Sequence, residues 1–416
     1  MYIVPIHVPI YVEGQKLLLA SDWLRALRLL RDSLPKEFGE LKVIAPSLSA
    51  TDPGVGQKLE PLVSGSEGIH LVPSFDLRVS AKAYWLRHRR RWIADLEREM
   101  GDATVVHAGY DDVYRPIAYE GLVQAWKRGI TSVFVQDTDI SMQMRELARG
   151  AKQKLHARVY GALYDRACLR CVSRSDLSLL KGAHLMQLFG RDAKNPKEFH
   201  DTSFARADVV PTAALEARLA TLAEKRPLRL VYCGRFEARK GLDHSIAIVR
   251  AALAHGADVT FDLIGDSIER AQLEQLARDP ALKGKVRFLG SRPYGGALLR
   301  ELAGYDALFF TPLAEDTPRM IFDGYAAGLP LVGYDIDYVR ERDTTEHATV
   351  CLPRNEIDAS ARILMQIAAD HTRLVPLSRA ARVAAEHHSS ESWYERRAQW
   401  TLEAHTRRHS SARRAD

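Results

Sequence analysis

Short apolar runs rich in Val, Ile, Leu and Phe recur along this chain, each followed by a stretch whose apolar positions return every three or four residues. The short runs read as buried strands and the longer stretches as amphipathic helices packed on them. In the first half, strands are predicted at 2–12, 41–45, 69–72, 104–107, 132–135 and 169–172. Trp23, Leu24, Leu27, Leu30 and Leu34 form one apolar stripe beside Arg25, Arg28 and Arg31, the signature of a helix lying on a sheet. In the second half, strands are predicted at 228–232, 259–264, 286–289, 307–310 and 331–334, with helices starting near Asp243, Ile268, Gly296 and Pro318. Such alternation predicts an α/β protein with parallel sheets, and its repetition predicts two doubly wound domains.

A length of 416 residues suits two domains better than one. Residues 190–211 are polar and without periodicity, so the domains are divided into 1–210 and 211–390, with the connection near Val210, Pro211 and Thr212. The polar, basic tail 407–416 is expected to be unstructured. Hydrophobic content of 46% and charged content of 27% are those of a globular protein and exclude a disordered chain. The net charge of +6 favours anionic partners. With no motif for reading DNA or RNA, nucleic acid is not expected among them. The apolar N-terminus is short, lacks a basic lead and holds two prolines, so it reads as a strand rather than a signal peptide. No apolar run approaches the ~18 residues of a membrane span. Cys168 and Cys171 have C-x-x-C spacing, but no second pair or histidine cluster completes a zinc site, and buried thiols in a strand are expected.

Two stretches carry candidate chemistry. After the strand ending at Tyr232, Gly234 lets a ligand approach the backbone, Arg235 offers a planar fork to phosphate oxygens, and Lys240 offers a point charge. Asp243 is the expected cap of the next helix. In the second stretch, Thr317 and Pro318 read as the cap and first turn of a helix, leaving amides near Arg319 and Met320 open to an anion. Glu315 precedes this turn and Asp323 lies within the helix, so two carboxylates stand where an elongated ligand with hydroxyl groups would meet them. Two D-x-D sequences, Asp137 to Asp139 and Asp335 to Asp337, match a metal-binding pattern that is common by chance. No metal is expected, because the two cations already oppose a diphosphate. Lys82 to Ile93 is a basic segment with Trp85, Leu86, Trp92 and Ile93 near one helical face, open either to an anionic membrane surface or to the core.

In order along 228–355, the chain holds strand-Gly-Arg-Phe, Lys240-Gly241, Phe261 to Asp266, Val286 to Gly290, Tyr305 to Ala307, Glu315 with Asp323, and Ala326 to Val332. This series resembles the family 4 retaining glycosyltransferases. The resemblance implies the GT-B fold: two Rossmann-like domains facing across a cleft, an acceptor-binding one over 1–210 and a nucleotide-sugar-binding one over 211–390. A C-terminal helix over 391–406 would cross back to the N-terminal domain. The resemblance further implies that Arg235 and Lys240 bind the donor diphosphate, that Glu315 contacts the transferred sugar, and that Thr317, Pro318, Arg319 and Met320 lie near sugar and phosphate. Asp323 would hold the ribose and Arg292 would flank the base. On the acceptor side it implies a glycine loop after the first strand, for which Gly14 is the candidate, a histidine at a strand end, His107, and Asp137 facing the cleft. Departures are Asp323 in place of the usual Glu, Asp335 to Tyr338 where Gly-Gly is common, and Val209 to Ala213 where Asn-Gly is common.

The expected activity is transfer of a sugar from a nucleotide-diphosphate sugar, with UDP or GDP as the nucleotide and no cofactor, to a glycan or lipid-linked acceptor in cell-surface polysaccharide or glycolipid synthesis. A cytoplasmic location is expected, at the inner face of the membrane if segment 82–93 docks there. A sugar-nucleotide epimerase of the same fold and a catalytically silent binding protein remain as alternatives.

Overall fold

A computed structural model of the chain describes residues 1–51, 58–313 and 318–412. They divide into two compact units, the first made of Met1–His200 with Tyr394–Asp416, the second of Asp201–Trp393.

In the first unit the strands are β1 (Tyr2–Pro5), β2 (Ile10–Glu13), β3 (Lys16–Ala20), β4 (Leu41–Ser49), β5 (Leu59–Pro61), β6 (Ile69–Asp76), β7 (Val105–Gly109), β8 (Thr131–Gln136), β9 (Leu177–Lys181) and β10 (Pro196–Phe199). They form one sheet in the order β10-β9-β8-β7-β1-β4-β2-β3-β5, with β6 paired to β4. Pairing is parallel except for β2 with β3 and β3 with β5. The predicted single strand 2–12 is therefore two strands, which lie one after the other along β4. Pro5 and Pro9 bracket the break, where a residue without an amide hydrogen cannot continue the ladder.

The predicted strand 169–172 is also overturned. It lies near the end of the helix Gly150–Arg174, and the true strand, β9, follows it. Tyr164, Cys168, Cys171 and Val172 are spaced at helical intervals and all are buried. The two cysteines thus share one inner face instead of pointing to opposite sides, and burial raises the pKa of both thiols. The stripe at 23–34 forms the helix Ser21–Ser33, with Leu24, Leu27 and Leu30 turned inward.

The helix Ser390–Ala412 runs out of the second unit and continues in the first from Tyr394 onward. Within the first unit, His405 Nδ1 and Thr131 Oγ1 share a hydrogen bond at 2.8 Å. Arg408 donates to the Gly129 carbonyl at 3.0 Å and to Asp176 at 2.8 Å. The tail expected to be unstructured is therefore helical over 407–412.

The second unit holds β11 (Leu228–Cys233), β12 (Val259–Ile264), β13 (Val286–Gly290), β14 (Ala307–Phe310), β15 (Leu331–Tyr334) and β16 (Thr349–Leu352). All pairs are parallel, in the order β13-β12-β11-β14-β15-β16. Every residue of β14 and β15 is buried, which explains their unbroken apolar sequences. One continuous core from Phe204 to Ala385 fills both sides of this sheet.

Candidate active site

The chain builds β11, β12 and β13 outward in one direction, then returns to the other side of β11 for β14, β15 and β16. The order reverses between β11 and β14. In open parallel sheets, the crevice beyond the carboxyl ends of strands at such a reversal is where ligands settle. The described parts of both chemically suggestive stretches sit there, since residues 234–241 follow β11 and residues 311–313 and 318–323 follow β14.

The cationic loop is fixed to the end of β14. Thr311 Oγ1 donates to the Gly241 carbonyl at 2.7 Å and shares a 2.6 Å hydrogen bond with Ser245 Oγ, while the Leu313 amide donates to the Arg239 carbonyl at 2.9 Å. Gly241 has φ +64°, and a Cβ there would lie 1.9 Å from the Thr311 carbonyl oxygen. Only glycine permits this approach. Gly265 at the end of β12 is constrained alike, with a would-be Cβ 1.9 Å from the Gly234 carbonyl.

Lys240 is 8% exposed, and its ammonium lies 5.7 Å from the centre of the Phe310 ring. A cation held over an aromatic face and largely removed from water acts more strongly on a nearby anion than a surface lysine does. Arg235 contrasts with it. Its side chain is 75% exposed and pairs with Glu237 at 2.9 Å. Glu237 also pairs with Arg239. Gly234 lies beside the Tyr232 hydroxyl, which donates to the Arg235 carbonyl at 3.0 Å and so shapes the turn. Asp243 is not the helix cap. The helix Leu242–Ala254 is entered through left-handed Gly241, and Asp243 stands in its first turn.

Of the second stretch, Glu315 and Thr317 lie outside the described residues. Pro318 is buried, and the helix begins at Met320 rather than at Pro318. It is seven residues long. Arg319 donates to Ser203 Oγ at 3.2 Å, and Met320 packs into the core. Asp323 accepts a hydrogen bond from the Tyr294 hydroxyl at 2.7 Å. Burial pushes its pKa up to about 6, against the opposing effects of Tyr294 and Arg319. The Asp323 charge in turn contributes to raising the pKa of Cys233, so this carboxylate lies near the end of β11. Arg292 donates to the Leu289 carbonyl and to Glu301, fixing the loop that carries Tyr294. Tyr294 escaped sequence reasoning, although its position four residues past Gly290 in the loop after β13 marks it as a strand-end group.

In the first unit, His107 is the third of five residues in β7 and not at its end. Its Nδ1 shares a 2.8 Å hydrogen bond with the Tyr2 hydroxyl. Burial, aided by the Arg397 charge, lowers its pKa to about 3. Gly14 is likewise displaced from its expected place. It occupies the β2–β3 hairpin with φ +59° and open space where a Cβ would stand, whereas the loop after β1 is Ile6 to Pro9. That loop carries His7, which sequence reasoning passed over. Desolvation lowers the pKa of its imidazole, and the carboxylates of Asp137 and Asp112 oppose the fall. Asp137 is exposed just beyond β8. His7, Asp112 and Asp137 thus stand together beyond the carboxyl ends of β1, β7 and β8. Asp112 also accepts from Tyr160 and the Tyr114 amide, and its neighbour Asp111 accepts from the Ile117 and Ala118 amides.

Three of the four D-x-D carboxylates have protein partners. Asp139 caps the helix Ile140–Leu147 and bonds His184, while Asp335 and Asp337 both pair with Arg340. Segment 82–93 is helical but divided. A wide π-type turn over Tyr84–His88 rotates the two tryptophans apart. Trp92 is fully buried and donates to the Ile117 carbonyl, whereas Trp85 is half exposed with Arg89 over its ring.

Residues 227–370 match a family model described as "Glycosyl transferases group 1". The lipopolysaccharide core biosynthesis glycosyltransferase LpsD of Rhizobium meliloti is 25% identical over 289 residues, 64% of this chain and 75% of that one. The amylovoran biosynthesis glycosyltransferase AmsK of Erwinia amylovora is 26% identical over 167 residues, 39% of this chain and 41% of that one. Among solved structures, Anabaena HepE in complex with UDP superposes with a TM-score of 0.62 at 15% identity, covering 97% of this chain and 99% of that one.

Proposed function

We propose that this chain, whose residues 227–370 match the group 1 glycosyl transferase model and whose fold is that of GT-B proteins, is a glycosyltransferase that moves a sugar from a nucleotide-diphosphate donor with retention of configuration and without a metal ion. The acceptor is a glycan or lipid-linked sugar of a cell-surface polysaccharide or glycolipid, a class supported by the names of LpsD and AmsK. The observation that carries this reading is the seating of buried Lys240 and the Gly234 to Gly241 loop at the point where strand order reverses.

The donor diphosphate lies against Lys240 and Arg235, whose charges offset the negative charge that grows on the leaving phosphate. Donor binding draws Arg235 from Glu237 toward phosphate oxygens, exchanging one ion pair for another. Asp323, held by Tyr294, takes the ribose, with Arg292 near the base. Glu315, Thr317 and the residues through Met320 complete the sugar side. The bond from the anomeric carbon to the phosphate oxygen breaks as the acceptor oxygen bonds that carbon on the same face. The acceptor proton passes to the departing phosphate oxygen. Asp137 and His7 belong to the acceptor side.

Arg235→Ala and Lys240→Ala are each expected to cost ~3 kcal/mol of transition-state stabilisation, the effect of removing one preorganised donor. A thermal-shift screen against nucleotide sugars identifies the donor first, and kcat/KM on that donor then reads the loss. Near wild-type turnover in both variants would remove the role given to these cations.

A further inference from the structure

The loop after β7 carries an aromatic surface that the donor chemistry does not use. Tyr114 is 48% exposed, and its ring meets the exposed imidazole of His156. Their planes are within 14° of parallel, their centres are 6.3 Å apart, and the Tyr114 hydroxyl shares a 2.7 Å hydrogen bond with His156 Nε2. The phenol oxygen and the ring nitrogen each lie in the plane of their own ring, so a bond between them joins the two rings rim to rim. The result is one flat plate, two rings across.

This plate is held rigid from behind. In the helix Gly150–Arg174, His156, Tyr160 and Tyr164 recur every fourth residue and so share a face. Tyr164 is buried, and Tyr160 lies between it and the plate, its ring centre 6.3 Å from that of Tyr164 and 5.5 Å from that of Tyr114. The Tyr160 hydroxyl and the Tyr114 amide both donate to Asp112 Oδ1 at 3.0 Å. The Tyr114 carbonyl accepts from Trp85 Nε1 at 2.8 Å. Trp85 props the loop rather than widening the plate, since Arg89 lies over its ring at 4.9 Å. An exposed tyrosine fixed through both backbone and ring loses little freedom when a ligand covers it.

We propose that the Tyr114–His156 plate binds a sugar of the acceptor next to the one that is glycosylated, so that the acceptor is a chain of two or more sugars. The inference rests on the glycan-acceptor reading given above. A pyranose has apolar C–H faces and a rim of hydroxyls, and the plate has apolar ring faces with the Tyr114 hydroxyl, His156 and Asp112 at its edges. The negative face of an aromatic ring favours the polarised C–H groups of a sugar laid upon it. Position agrees with chemistry. Asp112, two residues before Tyr114, is one of the carboxylates that act on His7. The plate therefore adjoins the His7, Asp112 and Asp137 group, which takes the sugar that receives the transfer.

The full chain is assayed, with the donor found by the thermal-shift screen, on single sugars and on short oligosaccharides released from bacterial lipopolysaccharide and exopolysaccharide. Wild type is expected to show an acceptor KM about tenfold lower for the oligosaccharides. Tyr114→Ala removes the ring and keeps both backbone hydrogen bonds. It is expected to raise the oligosaccharide KM about tenfold, with kcat, the donor KM and the single-sugar KM unchanged. Tyr114→Phe keeps the ring face and should cost about threefold or less. His156→Ala should cost about threefold, and serves if Tyr114→Ala does not fold. Wild-type KM values in both alanine variants would overturn the proposal and leave the transferase reading intact. A loss of equal size on single sugars and oligosaccharides would do the same. A dimer or a vesicle-bound form lost in Tyr114→Ala, with acceptor KM unchanged, would give the plate to that partner instead. Transfer by wild type to none of the oligosaccharides, despite a donor-induced thermal shift, would overturn both readings.

Discussion

Lys240 and Arg235 are both cations in one short loop, yet burial over Phe310 separates a preorganised charge from an exposed one paired with Glu237. The same distinction governs His107. Burial lowers its pKa to about 3, which favours the neutral imidazole that shares a hydrogen bond with Tyr2. Because its folded pKa lies below the unfolded value of 6.5, the unfolded chain binds the extra proton, and stability falls as pH drops from about 6.5 toward 3. His107→Asn is expected to flatten the acid limb of a melting-temperature profile and to leave the pH dependence of kcat unchanged. A new limb in the rate profile would restore a catalytic part to the histidine. Asp323 shifts the other way. Its folded pKa of about 6 exceeds the ordinary 3.8, so the cost of ionising it in the fold is absent below about pH 4 and fully present above about pH 6. Asp323→Asn should therefore raise the melting temperature at pH 7.5, have little effect at pH 4, and weaken donor binding if the carboxylate holds the ribose.

Among the elements, those with strong periodicity were legible and those with ambiguous runs were not. Leu169 to Val172 looks like a strand in isolation, and only the longer spacing from Tyr164 through Cys168 and Cys171 reveals the helical face. Strand β10 was missed because Pro196 to Phe199 is short, half-exposed and at a sheet edge, where no apolar run is required. The C-terminal helix was foreshortened for a related reason. Its last turns are polar and are held by Arg408, whose partners Gly129 and Asp176 are distant in sequence. Asp176 also accepts from the Ser132 amide and hydroxyl, so Arg408 neutralises a carboxylate already used to anchor β8. Deletion of residues 407–416 is expected to cost about 1–2 kcal/mol, read as a lowered denaturation midpoint. A truly unstructured tail could be removed without change.

At the scale of the whole molecule, the second unit has its own core from Phe204 to Ala385, whereas the first is completed by a segment nearly 200 residues away in the chain. A fragment of residues 201–393 is expected to unfold cooperatively and to keep the nucleotide-induced thermal shift. Residues 1–200 alone should lose stability relative to the same unit with its helix. A non-cooperative melt of the first fragment would contradict the independence of its core. The sequence by itself determined the α/β class, two successive sheets of mainly parallel strands and the cationic stretch at a strand end, because burial periodicity and glycine placement are local properties. It also carried the family resemblance, through the order of motifs over 228–355. Only the tertiary structure decided that Lys240 is buried while Arg235 is paired, that Tyr294 reaches Asp323, that burial favours the neutral form of His107, that Gly14 is remote, and that Trp92 is core while Trp85 is surface. Each depends on which distant side chains share a desolvated space, and that is fixed by packing between elements rather than by the spacing of residues along one of them.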